Sequence, residues 1–167
     1  MFLRAPFRHD TTSLKSLACC TFGASSFDKC HPQFDREALE ARLSREGITY
    51  CHEPRMGGWR RARKDSPNTA LRTPGFRDYA DYMLTGEFQR ALDGLLELAR
   101  RQRTAIMCAE LVPQRCHRSF IADALTARGA DVYHLLEKDR TQQHALRALA
   151  RVNNELVTYP ADETGQR

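Results

Sequence analysis

The stretch that decides the fold covers residues 104–136 and reads TAIMCAELVPQRCHRSFIADALTARGADVYHLL. Its first five residues, TAIMC, form an apolar run of the length of a buried strand. After a polar loop, residues 117–128 have apolar side chains at helical spacing, and Gly129 ends this predicted helix. Residues 131–136 predict a second strand. This order predicts a βαβ unit, whose right-handed crossover brings the loop after the first strand to the carboxyl edge of the sheet, where open α/β folds bind ligands.

The residues before this unit predict further helices and one more strand. Asp35 can cap a helix that Gly47 ends, and a short strand follows over residues 48–51. Residues 76–83 and 88–99 also have apolar side chains at helical spacing. We therefore predict an α/β fold with a single domain over residues 31–158, in which a mainly parallel sheet is flanked by helices.

The two ends of the chain have weaker patterns. Residues 1–30 show little periodicity and predict a divergent or poorly ordered lead, with a loop over residues 21–26. Apolar residues at helical spacing over 145–152 predict a last helix. From Tyr159 we expect the chain to fray, so that residues 159–167 form a tail.

Composition narrows the class of protein. The chain has 167 residues, of which 41% are hydrophobic, with a net charge of +5 and a mean hydropathy of -0.59. No apolar run approaches the roughly 18 residues that a membrane helix needs. Residues 1–10 alternate apolar side chains with Arg and His, unlike a signal segment. We therefore expect a cytoplasmic protein without a membrane partner, whose six cysteines stay as thiols.

The segment 108–118 carries the strongest chemical signal. It combines two thiols, a carboxylate, an imidazole and two guanidinium groups around one predicted turn. Cys116 comes at the predicted helix start, where free N–H groups and the helix dipole stabilise anions and lower the pKa of a thiol. The candidate catalytic residues are Cys108, Glu110, Cys116 and His117.

Each candidate also has a structural alternative. Cys108 also fits a small buried residue at a strand end. Glu110 also fits an ion pair with Arg118 or Arg60. His117 also fits a solvated position in the first turn, and His134 fits a hydrogen-bonded histidine of the core or sheet edge better than a ligand.

A metal site and a phosphatase-type loop fit less well. Adjacent Cys and His point about 100° apart on a helix, so one such dipeptide rarely supplies two zinc ligands, and help from Cys51 or His52 would be needed. We predict no metal and no cofactor, with zinc as the alternative. The spacing of Cys108 and Arg115 is one residue too long for the anion-cradling loop of cysteine phosphatases and sulfurtransferases.

Residues 53–77 form a long basic loop that contains a tryptophan. The loop carries seven basic and two acidic residues, so its net charge equals the +5 of the whole chain. Basic groups beside an aromatic ring suit single-stranded nucleic acid or a nucleotide phosphate, and an ordinary solvated loop is the alternative. The candidate substrate-binding residues here and at the thiols are Gly57, Gly58, Trp59, Arg60, Arg115 and Arg118.

Several of these motifs resemble one known family. They are Met107-Cys108-Ala109-Glu110, Cys116-His117-Arg118, Met56-Gly57-Gly58 with Arg60, the FRDYADYM stretch over residues 76–83, and the turn and strand at residues 47–50 and 132–134. Over residues 32–144 the sequence resembles the bacterial domain-of-unknown-function 488 family. The resemblance implies a compact α/β domain but no assigned reaction. Members usually begin with a Thr-Ile-Gly-His-Ser strand and an Asp-Val-Arg strand end. Neither is legible here, so we expect an atypical or truncated N-terminus that lacks these two strands.

Three hypotheses about function remain. In the first, the protein is an enzyme for an anionic, nucleotide-like or nucleic-acid-like substrate, with Cys116 as activated thiol, Glu110 as acid or base, and Arg60, Arg115 and Arg118 holding the anion. The partner is then an anionic small molecule or single-stranded nucleic acid. The second is a non-catalytic nucleic-acid or nucleotide-binding module. The third is a thiol redox or zinc-binding module, and the sequence leaves the choice open.

Overall fold

The computed structural model describes residues 2–4, 16–19, 35–57, 60–61, 63–108, 110, 112, 115–137 and 140–161. Along the chain, the strands and helices in this part are β1 (Phe2–Arg4), β2 (Ser16–Cys19), α1 (Arg36–Arg45), β3 (Thr49–His52), a 3-10 helix (Pro54–Met56), α2 (Pro74–Met83), α3 (Gly86–Arg101), β4 (Thr104–Met107), α4 (Arg118–Ala127), β5 (Asp131–Glu137), β6 (Arg140–Gln143), β7 (Arg151–Asn153) and β8 (Leu156–Thr158).

Local signals in the sequence explain where the helices begin and end. The Asp35 carboxylate accepts hydrogen bonds from the N–H groups of Glu37 and Ala38, at 3.0 and 3.1 Å, and so caps α1. Gly47 and Gly129 follow α1 and α4 with φ of +70° and +78°, a conformation that glycine adopts without steric cost. The predicted start of α1 and the predicted ends of α1 and α4 are confirmed.

The larger sheet combines parallel and antiparallel pairs. Six strands of the described part lie in the order β3-β2-β4-β1-β5-β6. β2 pairs in parallel with β3 and β4, whereas β1 is antiparallel to β4 and β5, and β5 is antiparallel to β6. The prediction of a mainly parallel sheet flanked by helices is therefore wrong, and the fold is mixed α/β. The difference arises because β1 lies between the two strands of the predicted βαβ unit, and β6 adds an antiparallel edge.

The first residues of the chain contribute two strands that the sequence analysis did not predict. Phe2 lies opposite Ala105 on one side and Tyr133 on the other, while Leu17 lies between Tyr50 and Ala105. Strands of three or four residues are too short to show a periodic pattern, and pairing on both sides satisfies their backbone groups. The loop predicted over residues 21–26 lies outside the described residues.

The helix predicted over residues 145–152 is absent: residues 145–150 form a loop, and a β-hairpin begins at Arg151. β7 and β8 form a two-stranded antiparallel sheet, joined at Asn154 and Glu155, which have φ of 47° and 64°. Two successive positive φ angles are typical of the tight turns that connect hairpin strands. The helix prediction is wrong because the apolar residues that suggested it do not face the core. Leu149 and Val152 are 47% and 46% exposed.

Tyr159, the first residue of the predicted tail, packs in the core. Its side chain is fully buried, and its N–H donates to the Asn68 Oδ1 at 2.8 Å. Fraying from Tyr159 is therefore wrong, while residues 162–167 lie outside the described part. The core around Tyr159 combines side chains of α2, α3 and α4 with Ile106 of β4, Val132 of β5 and Val157 of β8. No helix in the described ranges has both the length and the apolar character that crossing a membrane requires.

Candidate functional site

Two buried thiols meet where β4 ends and α4 begins. Cys108 directly follows β4, and Cys116 and His117 directly precede Arg118, the first residue of α4. Cys108, Cys116 and His117 are 5%, 2% and 4% exposed, and their sulfur and ring nitrogen atoms all lie within 4.8 Å of one another. The structure therefore brings together three of the four candidate catalytic residues. They lie at the carboxyl end of β4, where the predicted βαβ unit placed the loop.

The sulfur of Cys116 is surrounded by hydrogen-bond donors. The backbone N–H of Arg118 donates to this sulfur at 3.4 Å, and Nε–H of the same residue donates at 3.3 Å. The Nδ1 of His117 lies 3.7 Å from it. The backbone N–H groups at a helix start have no acceptor inside the helix. The first N–H of α4 and the guanidinium on the same residue are therefore both used to hold one sulfur.

These contacts separate the two thiols in acidity. A hydrogen bond from the Cys108 thiol lowers the pKa of Cys116, and the His117 ring and the N–H of Arg118 lower it further, against the opposing effect of burial. The same hydrogen bond and burial raise the pKa of Cys108. These contacts therefore favour Cys116 over Cys108 as the thiolate of the pair.

Arg118 also holds the backbone of Glu110, which lies between the two thiols in the sequence. Its Nη2 donates to the backbone carbonyl of Glu110. The Glu110 side chain is exposed, and its Oε1 accepts from the N–H of Val112 at 3.2 Å. The backbone of Glu110 thus belongs to the site, whereas an acid or base role for its carboxylate stays a prediction.

Tyr79 connects the thiol pair to the start of the basic loop. Its ring centroid lies 5.3 Å from that of His117, and its hydroxyl donates to the carbonyl of Met56 at 2.5 Å. Both Tyr79 and Met56 are buried. The loop backbone at Met56 is therefore anchored to the ring that packs on His117.

Arg60 binds its own loop. Its Nη2 donates to the carbonyls of Gly57 and Arg55, at 2.6 and 3.1 Å, and its guanidinium carbon lies 3.7 Å from the ring centroid of Tyr82. Gly57 is buried and Arg115 is exposed. An anion-binding role for these residues stays a prediction. The candidate residues Gly58 and Trp59 lie outside the described part of the chain.

A second buried polar cluster was missed by the sequence analysis. Asp123 of α4 is fully buried, and its Oδ1 lies 2.9 Å from His144 Nε2 while its Oδ2 accepts from the Tyr159 hydroxyl at 2.7 Å. His144 Nδ1 lies 2.9 Å from Nε2 of His134, which confirms the prediction that His134 is hydrogen bonded within the core or sheet edge. Arg147 closes the cluster, with Nε at 3.2 Å from Asp123 Oδ2. The available signal was a single carboxylate in the apolar stretch FIADAL.

The thiol pair with His117 has the donor types of a soft-metal site. Two sulfurs and one imidazole are a set that zinc accepts, with a fourth position left for water or substrate. Adjacent Cys116 and His117 converge here, unlike the divergence expected for neighbours within a helix, because both precede α4. Among the described residues, no further Cys, His, Asp or Glu joins this group. The absence of a bound metal stays a prediction.

Together these features define a mixed α/β protein with two neighbouring buried cysteines at the start of a helix, of which Cys116 is the more acidic. The family model described as Domain of unknown function DUF488 matches residues 26–125, and the chain belongs to this family. The resemblance found in the sequence is thereby confirmed. Comparisons with curated proteins and with solved structures gave no match.

Proposed function

We propose that the protein is a thiol-dependent enzyme that acts on a small anionic substrate, with Cys116 as the nucleophile. The observation that carries this proposal is that Arg118 donates both its backbone N–H and its Nε–H to the Cys116 sulfur, at 3.4 and 3.3 Å. The thiolate is the reactive form of cysteine, and donors that hold it in this form keep it reactive at neutral pH.

Arg118 also supports the choice of an anionic substrate. A guanidinium has five N–H groups. The contacts of Arg118 with the Cys116 sulfur and the Glu110 carbonyl use Nε and one Nη2 hydrogen. The other N–H groups can bind an oxyanion beside the sulfur. The near-complete burial of Cys116 favours a small molecule over single-stranded nucleic acid, as does the engagement of Arg60 by carbonyls of its own loop.

The proposed step is a substitution at an electrophilic atom of the substrate. The Cys116 sulfur forms a bond to this atom with its lone pair, the bond to the leaving group breaks, and the leaving group departs with the electron pair. Cys108 then loses its thiolate acceptor. Its role before the step is to stabilise the anionic sulfur, as the lowered pKa of Cys116 indicates.

The proposal can be tested with two alkylating reagents of equal size and different charge. Iodoacetate is anionic and iodoacetamide is neutral, and both transfer a two-carbon group to the thiolate with release of iodide. Peptide mass spectrometry separates Cys116 from Cys51, an exposed thiol that serves as internal reference. We expect the rate ratio of iodoacetate to iodoacetamide to be higher at Cys116 than at Cys51, and to fall to the Cys51 value in Arg118→Gln.

The pH dependence of the alkylation rate provides a second test of the proposal. We expect the alkylation rate of Cys116 to change little between pH 6 and 8, because its sulfur is already a thiolate. An ordinary thiol gains about tenfold in rate per pH unit below its pKa. A tenfold gain per unit at Cys116, or no alkylation of Cys116 in the folded protein, contradicts the proposal.

A bound metal ion is the second candidate, and one observation favours it. The sulfurs of Cys108 and Cys116 and a ring nitrogen of His117 lie within 4.8 Å of one another. Cobalt(II) added to the protein reports on this directly, because thiolate ligation produces intense near-ultraviolet absorption. Such absorption in the unmodified protein and its loss in Cys116→Ser favour the metal, whereas a spectrum of free cobalt removes this candidate.

A further inference from the structure

We infer that Asp123, His144 and His134 form a proton relay that ends at Nδ1 of His134, and that this nitrogen is the general base and acid of the site. Its catalytic use rests on the proposed function of Cys116. The relay itself rests on hydrogen bonds between buried groups, which set the position of each proton when both histidines are neutral.

The direction of the relay is set by Asp123. The backbone N–H of Arg147 donates to Asp123 Oδ1 and its Nε lies by Oδ2, both at 3.2 Å. These nitrogens only donate, so Asp123 is an ionised acceptor. With both histidines neutral, His144 Nε2 donates to Asp123 at 2.9 Å, which leaves the lone pair of His144 on Nδ1. His134 Nε2 must then donate to this Nδ1, also at 2.9 Å. The remaining lone pair of the chain is on His134 Nδ1.

Proton uptake moves positive charge away from the entry point. When Nδ1 of His134 takes a proton, its Nε2 proton passes to Nδ1 of His144. His134 is then neutral in its other tautomer, and the charge is on His144 beside the Asp123 carboxylate. Release of a proton to a leaving group reverses both transfers, so no net charge has to remain on His134.

The charges around the cluster favour this distribution. Burial lowers the pKa of His134 to about 4, and the charge of Arg118 contributes in the same direction, as does His144 when it is protonated. The Asp123 carboxylate, in contrast, contacts His144 directly. The Arg147 guanidinium and the neutral Tyr159 hydroxyl complete the titratable and charged groups of the described elements that contact Asp123. A cation is therefore disfavoured on His134 and better placed on His144.

Strand register places the end of the relay on the same sheet face as Ile106, which precedes Cys108 by two residues. Phe2 lies opposite both Ala105 and Tyr133, so Ile106 and His134, each one residue further, point to the other face. Ile106 belongs to the core beneath α4, and Cys108 follows it by two residues. His134 of β5 thus lies on the same sheet face as Ile106 of β4, and Cys108 directly follows β4, on the other side of β1.

The first turn of α4 connects the two clusters. Arg118 holds the Cys116 sulfur, and its charge also acts on His134. The Ser119 hydroxyl donates to the carbonyl of Cys116 at 2.8 Å and accepts a hydrogen bond from Arg147. The thiolate and the relay are therefore linked through two consecutive residues of one helix turn, Arg118 and Ser119.

Hydrolysis of p-nitrophenyl acetate separates the two proposals. Attack by the Cys116 thiolate forms a thioester and releases p-nitrophenolate, seen as a burst. Water then attacks the thioester, His134 Nδ1 takes the proton of the water, the carbon–sulfur bond breaks, and sulfur leaves as thiolate. If neither the unmodified protein nor His134→Gln shows a burst, the thiol proposal fails. With a burst, we expect His134→Gln to retain its amplitude and to lose about 100-fold in steady-state turnover, a usual contribution of a general base.

A matched control and a spectroscopic readout complete the test. Gln142 lies opposite His134 on β6 and is exposed, so Gln142→Ala perturbs the same strand pair without removing a relay group, and its turnover should be unchanged. Imidazole ¹⁵N spectra of the unmodified protein at pH 7 should show His134 with a proton on Nε2 and none on Nδ1. A proton on Nδ1 at this pH, or unchanged turnover in His134→Gln, overturns the relay.

Discussion

The hydroxyl of Tyr159 provides a quantitative test of the buried cluster around Asp123. This hydroxyl donates to Asp123 Oδ2 at 2.7 Å, and neither side chain is exposed to solvent. Tyr159→Phe removes one oxygen and leaves the ring packing intact. A hydrogen bond to a charged group contributes about 1.5–3 kcal/mol. Because the carboxylate stays buried with one donor fewer, we expect the free energy of unfolding to fall by about 2–3 kcal/mol.

Two other tyrosines provide matched controls for the same chemical change. The Tyr79 hydroxyl donates to a neutral carbonyl, that of Met56, at 2.5 Å in a buried position. Tyr79→Phe should therefore cost about 1–1.5 kcal/mol. The Tyr82 hydroxyl donates to the Arg55 carbonyl at 2.7 Å in an exposed position. For Tyr82→Phe we expect a loss below about 0.5 kcal/mol, as at most surface positions.

Urea unfolding followed by circular dichroism measures these differences at pH 7, with equal slopes in the four proteins as the condition for comparison. The order of losses should be Tyr159, then Tyr79, then Tyr82. If Tyr159→Phe costs no more than Tyr82→Phe, the Asp123 hydrogen bond does not contribute as its burial and charge require, and the reasoning is refuted.

The pH dependence of the Tyr159 effect has a definite sign. Burial and the Asp123 carboxylate raise the pKa of Tyr159 above its usual value. The folded protein therefore keeps this proton at a pH where the unfolded chain loses it. The stabilisation is complete below about pH 10 and decreases at higher pH by about 1.4 kcal/mol per unit. The difference between the unmodified protein and Tyr159→Phe should shrink accordingly above pH 10.

Three further predictions concern single groups. Since burial lowers the pKa of His134 to about 4, stability should decrease as pH falls from about 6.5 toward 4, and urea midpoints of His134→Gln should decrease less. Gly129→Ala should lower the free energy of unfolding by about 1 kcal/mol, because the φ of Gly129 is +78°. Gly94→Ala should raise it by about 0.5–1 kcal/mol, because Gly94 lies inside α3 with open space at the added carbon. If both variants shift thermal unfolding in the same direction, this account is contradicted. Cys108→Ala removes the main hydrogen-bond donor to the Cys116 thiolate. The pH at which the alkylation rate of Cys116 is half of its maximum should therefore increase. An unchanged midpoint would show that Cys108 is not that donor.

The sequence was informative where a single residue sets a backbone conformation. Asp35 and Gly47 bound α1, and Gly129 ends α4, because capping and positive φ depend on local chemistry. β1 and β2 could not be predicted, because their few residues become strands only through partners that are distant in sequence. The same limit explains the failed prediction of a mainly parallel sheet.

The candidate site likewise contains residues that a local sequence pattern predicted and residues that only the folded structure brings together. Cys116 was predicted as an activated thiol because its place before a helix is a local feature, and Arg118 follows it in the same turn. The contacts among Asp123, His134 and His144 depend on how α4, β5 and the segment after β6 pack together. No spacing rule connects residues that are 10 and 21 positions apart, so this cluster became visible only in the folded structure.

The central position of β1 sets the order in which the sheet can form. Phe2 pairs with Ala105 and with Tyr133, so the strand nearest the start of the chain completes its pairing only after the ribosome has released residues far downstream. Contacts over such long separations slow folding, and they leave the facing edges of β4 and β5 unpaired until β1 enters between them. During synthesis these two open edges are therefore the part of the protein most exposed to aggregation, and the most suitable for protection by a chaperone.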